Sequence, residues 1–84
     1  PEELFYREWQ RELFALAVED LRRWANASGR ALAFAIFEAH DLSDGARPSY
    51  ADLAGRHGVA VTKVTNDLAW ARRELRRLAL DRLA

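Results

Sequence analysis

The stretch that decides the fold is SYADLAGRHGVAVTKVTNDLAWARRELRRL, residues 49–78. It opens with Ser49, and Asp52 follows three residues later, which is the pattern of a helix N-terminal capping box. Gly58 comes further along and can adopt the left-handed conformation that ends a helix. The segment therefore predicts a short helix over residues 49–57.

A second helix is expected directly after this glycine, because apolar residues recur there at alternating steps of three and four positions. The stripe predicts a long helix over residues 61–83. Read alone, residues 59–62 also suit a strand, such as the wing of a winged domain, but the stripe that begins at residue 61 favours a helix. The residues of the stripe are Val61, Val64, Leu68, Ala71, Leu75 and Leu78.

A short helix, a glycine-containing turn and a second helix with apolar residues at fixed offsets form a helix-turn-helix pattern. In this interpretation Ala54 is small because the helices cross close to it, and Val59 fills the corner between them. An ordinary helical hairpin in a bundle would use the same residues for packing alone. The pattern favours the helix-turn-helix and leaves the hairpin open.

Two more helices are expected upstream, over residues 1–28 and 30–40. Between them, either Gly29 closes the first helix or Ser28 caps the second. Residues 41–48 are rich in turn formers and predict a loop. The expected inward face of the first helix consists of Tyr6, Leu13, Ala17, Leu21 and Trp24, widened by Trp9, Phe14 and Val18.

Composition agrees with a single all-α domain, because alanine and leucine make up a third of the 84 residues and both favour helices. The longest unbroken apolar run, residues 31–37, is far shorter than the ~20 residues that span a bilayer, and no basic-then-apolar signal sequence opens the chain. We therefore expect a cytoplasmic protein without membrane contact. Because the chain starts with Pro1 rather than methionine, we also expect a piece of a longer protein.

Catalytic and metal-binding patterns are missing from the sequence. There is no cysteine, and His40 and His57, the only histidines, do not fall at a metal-binding spacing. Neither a nucleophile motif nor a phosphate-binding glycine loop is present, and a small helical domain leaves little room for a substrate cleft. We expect a non-enzyme with no metal and no cofactor.

Residues 49–78 resemble region 4 of bacterial sigma factors. In that family a Y-x-E-I-A helix is followed by a G-(I/V)-S turn and a recognition helix that carries V-x-x-x-L-x-x-A-R-x-x-L. Upstream, FYREW at residues 5–9 and Gly29-Arg30 before Phe34 and Phe37 resemble the C-terminal part of some extracytoplasmic-function (ECF) sigma factors, so the resemblance covers nearly the whole chain. The residues that match the recognition-helix motif are Val64, Leu68, Ala71, Arg72 and Leu75.

The resemblance implies an all-α, four-helix domain with a C-terminal helix-turn-helix and a long recognition helix. It implies recognition of the minus-35 promoter element during transcription initiation. The implied partners are promoter DNA and the flap of the RNA polymerase β subunit, with an anti-sigma factor as a further candidate. A helix-turn-helix regulator or a protein-interaction module that does not read DNA as a sigma factor does is the alternative.

Candidate DNA contacts lie at the start of the last two helices. Lys63 can donate to guanine or to a phosphate, and Asn66 can pair with adenine in a major groove. The first helix of a helix-turn-helix, here residues 49–57, is the scaffold helix. Residues at its start commonly hold phosphate, although Ser49 also suits a simple cap. The complete set of candidates is Thr62, Lys63, Thr65, Asn66, Ser49, Tyr50, Arg47 and Arg73.

Several positions depart from the family pattern. Ala60 replaces the usual serine cap of the recognition helix, so Thr62 is expected to cap a helix that starts later. Thr65 and Asp67 stand where basic residues are common, and an acid that faces phosphates would be repelled. Trp70 either packs on the first helix or forms an exposed anchor for a partner protein.

Positive charge is concentrated in the last helix, although the chain as a whole is neutral. Residues 1–28 have a net charge of −2, residues 29–57 of −1 and residues 58–84 of +3. A free-standing DNA-binding domain usually has a more basic balance, so this distribution suits a tethered module and also leaves the protein-interaction alternative open. The arginines that alternatively form only a solvated helix face are Arg72, Arg73, Arg76 and Arg77.

Overall fold

The computed structural model describes residues 2–84, which form four α-helices and, within that range, no strand. The predicted all-α, four-helix architecture is confirmed, and each described helix bound lies within one residue of its prediction. Residue 1, the predicted start of the first helix, lies outside the described residues. The helices are α1 (Glu2–Ala27), α2 (Ala31–Asp41), α3 (Tyr50–His57) and α4 (Val61–Leu83).

The core forms around α4, which contacts each of the other three helices. The predicted stripe of α4 supplies Val64, Leu68 and Ala71, all fully buried. Burial of one large aliphatic or aromatic side chain contributes about 1.5–3 kcal/mol, so a core of this size accounts for most of the driving force. The largest fully buried apolar side chains are Phe37, Leu21, Ile36, Leu53, Leu68 and Val64.

The junction between α1 and α2 decides between the two predicted alternatives. Gly29 has a φ of 71°, and the backbone N–H of Arg30 donates to the carbonyl of Ala25 at 2.7 Å. The Ser28 hydroxyl donates backwards to the carbonyl of Trp24 at 2.6 Å, and Arg30 is the N-cap residue of α2. Gly29 therefore closes the first helix, and Ser28 does not cap the second.

The first half of α1 lies outside the core, which corrects the predicted inward face. Tyr6 is 60% exposed and Trp9 is 48% exposed, and Phe14 and Trp24 are also exposed. Helix α4 runs antiparallel to α1, and its last residue, Leu83, only borders the surface clefts that contain Trp9 and Leu13, so coverage of α1 decreases towards its N-terminus. Of the expected face, the fully buried residues are Ala17 and Leu21, with Val18 close to them in burial.

No helix between residues 2 and 84 combines the length and the apolar character needed to cross a lipid bilayer.

Candidate nucleic-acid interface

The N-terminus of α3 is closed by a capping box. The Ser49 hydroxyl accepts a hydrogen bond from the backbone N–H of Asp52 at 3.0 Å, and the Asp52 carboxylate accepts one from the backbone N–H of Ser49 at 3.2 Å. A cap of this kind stabilises a helix by typically ~1 kcal/mol. The capping prediction for Ser49 is confirmed. Its hydroxyl accepts in this role, so its exposed O–H can still donate to another group.

The turn between α3 and α4 is built on Gly58, which has a φ of 63° and a ψ of 37°. The backbone N–H groups of Gly58 and Val59 both donate to the carbonyl of Ala54, and these two hydrogen bonds end α3. Residues 59–60 contain no strand, and α4 begins at once with Ala60 as its N-cap residue. The winged alternative is therefore not observed.

The start of α4 differs from prediction in two details. Thr62 lies inside the first turn of α4, so the prediction that it caps a later-starting helix is wrong; the N-cap is Ala60, which has no side chain to accept a hydrogen bond. Val61 is 46% exposed, because the packing of α3 against α4 covers the stripe only from Val64 onward. The first turn of α4 is therefore open to solvent on several sides.

The outer face of α4 carries most of the candidate contacts. Thr62, Thr65 and Asn66 are all exposed. Thr62 and Asn66 lie on the side of α4 opposite the buried Val64 and Leu68, and Thr65 lies beside that buried stripe. The Thr65 hydroxyl donates to the carbonyl of its own helix at 3.2 Å. Helix α4 thus presents a short polar surface of hydroxyl and amide groups, the types of group that read base edges in a major groove.

Asp67, one of the departures from the region 4 pattern, is buried. Its side chain is 1% exposed and points into the molecule, so it does not face a phosphate. Its Oδ1 atom accepts a hydrogen bond from the Lys63 ammonium at 3.0 Å and another from the Arg30 guanidinium at 3.3 Å. The guanidinium of Arg30 in turn lies 4.3 Å from the centre of the Trp70 ring. Trp70 is half-buried beneath Arg30 and is not an exposed anchor.

Sequence reasoning missed Arg30, because 37 positions separate it from its partner Asp67. A helical period links residues within a few turns of one helix and says nothing about a residue in another element. The one local signal was Lys63, four residues before Asp67, which predicts a contact within α4 but not the burial of the acid.

A second charged cluster lies between the end of α2 and the start of α3. Arg72 binds the Asp41 carboxylate through two hydrogen bonds, from Nε at 2.7 Å and from Nη2 at 2.9 Å, and His40 Nδ1 lies 2.6 Å from the same carboxylate. The hydrogen bonds from Arg72 are the main cause that lowers the pKa of Asp41 to about 2. Tyr50 is half-buried with its ring edge-on to His40 at 5.3 Å, so it serves packing rather than a free surface.

Arg47 remains exposed next to this cluster. It lies on the rim of a cleft of about 380 Å³ whose floor includes Phe37 and Leu42. Together with Ser49 it flanks the beginning of α3, as the sequence predicted. The structure therefore keeps Arg47 available for a contact. Ser49 is also exposed although it caps α3, whereas Tyr50 is half-buried.

Ion pairs with acids of the same chain neutralise much of the positive charge of α4. Arg72 is bound to Asp41, Arg77 to Glu74 and Asp81, and Arg82 to Asp20. Arg73 and Arg76 are exposed and form no ion pair with any residue in the range 2–84. Of the four arginines predicted as either phosphate contacts or a solvated face, these two alone keep an unpaired charge.

Between residues 2 and 84, no three His, Cys, Asp or Glu side chains lie close enough together to hold a metal ion. Comparisons of the chain with protein-family models, curated proteins and solved structures gave no match. The resemblance to sigma region 4 therefore rests on the motif residues quoted from the sequence.

Proposed function

We propose that this domain recognises promoter DNA as region 4 of a sigma factor does, with α3 and α4 acting as a helix-turn-helix. In this proposal α3 is the scaffold helix, and α4 places its first turns in the major groove of the minus-35 element. The observation that supports it best is the polar outer face formed by Thr62, Thr65 and Asn66, which no described helix covers. Recognition helices carry their base-reading residues at this place.

Each candidate residue takes a role that its environment allows. Asn66 pairs with adenine, while Thr62 and Thr65 contact neighbouring base edges or phosphates. Lys63 and Arg73 bind phosphates on the two sides of the groove, and contacts of this kind position the helix without reading sequence. Arg47 holds a phosphate at the start of α3. Ser49 caps α3 and its exposed O–H can donate to the same phosphate, while Tyr50 packs against His40 beside it.

Weak binding by the isolated domain is part of the proposal. The chain has no net charge, and few unpaired cations remain on α4. A tethered module tolerates weak intrinsic affinity, because the other parts of the assembly raise its effective concentration at the DNA. The proposed assembly is cytoplasmic RNA polymerase, with the β-subunit flap as the protein contact and an anti-sigma factor as a candidate regulator.

The test is a fluorescence titration of the parent protein bound to RNA polymerase, against promoter DNA and a scrambled sequence. Asn66→Ala is expected to reduce discrimination at one base pair by about 1–3 kcal/mol. Gln10→Ala is the matched control, because Gln10 is an exposed amide on α1 and is expected to leave discrimination unchanged.

The alternative is a helix-turn-helix regulator or a protein-interaction module. Its specific support is the pairing of Arg72, Arg77 and Arg82 with acids of the same chain, which removes cations that a DNA-binding face would use. Equal affinity for both DNA sequences, unchanged by Asn66→Ala, would favour this alternative.

A further inference from the structure

The ion-pair cluster at the base of α4 contains one acid and two bases. Asp67 is 1% exposed, and both Lys63 and Arg30 donate to the same oxygen, Oδ1. The other oxygen, Oδ2, is buried and has no hydrogen-bond partner among the described residues. A single cation would neutralise this carboxylate, so the cluster holds one positive charge more than it needs.

The two cations differ in how firmly they are held. The Arg30 guanidinium lies over the Trp70 ring at 4.3 Å, and its side chain is 36% exposed. The Lys63 side chain is 47% exposed and ends in a compact ammonium on a flexible stem. A stacked, planar cation is the more permanent counter-ion, and the flexible one is the more easily exchanged.

Burial of an uncompensated carboxylate is strongly unfavourable. If Lys63 were the only counter-ion of Asp67, its departure to a DNA phosphate would leave that carboxylate without compensation. With Arg30 in place, Lys63 can leave at little cost.

We propose that Arg30 is a positioning residue for DNA binding: it neutralises the buried Asp67 carboxylate and thereby leaves the Lys63 ammonium available to a backbone phosphate. The inference rests on the proposed DNA-binding function and deepens it. It assigns a role to a residue that lies at the α1–α2 junction, outside the two helices of the helix-turn-helix.

The experiment measures how the affinity of the polymerase-bound protein for promoter DNA falls with salt, because each phosphate contact contributes about 0.9 to that logarithmic slope. Lys63→Gln is expected to reduce the slope by about 0.9, the loss of one contact. Arg30→Gln is expected to reduce it by the same amount, and Arg30→Lys to restore most of it. Addition of Asp67→Asn to Arg30→Gln is expected to return the slope to the wild-type value, since Lys63 is then released.

Arg22→Gln is the matched control, because Arg22 also stacks on an aromatic ring and pairs with acids but lies away from Asp67. Its slope is expected to match wild type. A slope that stays low in the Arg30→Gln/Asp67→Asn double variant would mean that Arg30 itself touches phosphate, and would overturn the proposal. If the Arg30→Gln variant does not fold, the single variant Asp67→Asn is compared with the double variant Arg30→Gln/Asp67→Asn. Equal slopes support the proposal, and unequal slopes overturn it.

A readout without DNA separates this inference from the proposed function. Lys63 is the only lysine of the chain, so its side-chain ammonium gives a single NMR signal. Arg30→Gln is expected to make this ammonium more ordered and slower to exchange its protons, and Asp67→Asn to make it less so. If these changes occur but the wild-type protein binds no DNA, the proposed function is wrong, while the competition of Arg30 and Lys63 for Asp67 stands. Unchanged NMR signals would overturn that competition.

Discussion

Leu68 and Asp67 are neighbours on α4 and are both buried, at 0% and 1% exposure, for opposite physical reasons. Leu68 is buried because it belongs to the apolar stripe that packs against the other helices. Asp67 is buried because two cations from different elements surround its carboxylate. The first position follows from helical periodicity. The second needs Lys63, which lies one turn away on the same helix, and also Arg30, which is distant in sequence.

Leu68→Ala is expected to reduce the free energy of unfolding by about 2–5 kcal/mol, because the lost methyl groups leave a cavity that a packed core refills only in part. The measurement is urea denaturation followed by circular dichroism. Leu80→Ala on the same helix is the control; Leu80 is 57% exposed, and the change is expected to stay within about 0.5 kcal/mol. Similar losses in both variants would contradict the assignment of Leu68 to the core.

The left-handed backbone conformation of Gly58 ends α3 and forms the turn to α4. Gly58 has a positive φ and Gly55 lies inside α3, and a Cβ at either position would meet no atom within 4 Å. Both positions have room for a Cβ atom, so the two glycines differ in their backbone conformation and not in steric crowding. A difference between substitutions at the two sites therefore combines the left-handed strain at Gly58 with the gain in helix propensity at Gly55.

Gly58→Ala is expected to destabilise the domain by roughly 1–2 kcal/mol, the cost of a left-handed conformation for a residue with a Cβ. Gly55→Ala is expected to stabilise it by up to about 1 kcal/mol, because alanine favours a helix interior. Thermal unfolding of the two variants measures the difference. A stabilising Gly58→Ala would show that Gly58 does not hold the turn.

Ion pairs and stacking contacts connect residues of different helices at the surface of the molecule. Arg72 links α4 to the end of α2, and Arg82 links the end of α4 to Asp20 in the C-terminal half of α1. These contacts connect residues that are 31 and 62 positions apart in the chain. Because most of them are partly exposed, they contribute less to stability than the apolar core, and the bidentate pair on Asp41 is the strongest candidate for a measurable effect.

That pair predicts how stability depends on pH. The pKa of Asp41 is about 2 in the folded protein, below the ordinary value of about 3.9 for an unfolded chain. The stabilisation is therefore present above pH ~4 and is lost as the pH falls through 2, with a size of about 2.6 kcal/mol at most. Melting temperatures of wild type and Asp41→Asn, measured from pH 6 to pH 2, should converge at the acid end. Asp44→Asn in the exposed loop is the control, and curves for Asp41→Asn that stay parallel to wild type would contradict the prediction.

The four helices could be read from the sequence because their signals are local. Apolar spacing places α4, the capping box starts α3, and the two left-handed glycines end α1 and α3. The candidate site was predicted less completely. Thr62, Thr65 and Asn66 are exposed as expected. The helical wheel places Lys63 next to Asp67 but gave no indication that this acid is buried.

What the sequence determined by itself was therefore the helical architecture, the turn at Gly58 and the outward face of α4, since each depends on residues within a few positions of one another. Tertiary structure alone decided that Asp67 is buried between Arg30 and Lys63, and that the aromatic residues at the start of α1 remain uncovered. Both outcomes depend on where another helix begins or ends in space. Local periodicity defines which face of a helix is apolar, but only the packed molecule defines whether a neighbour reaches it.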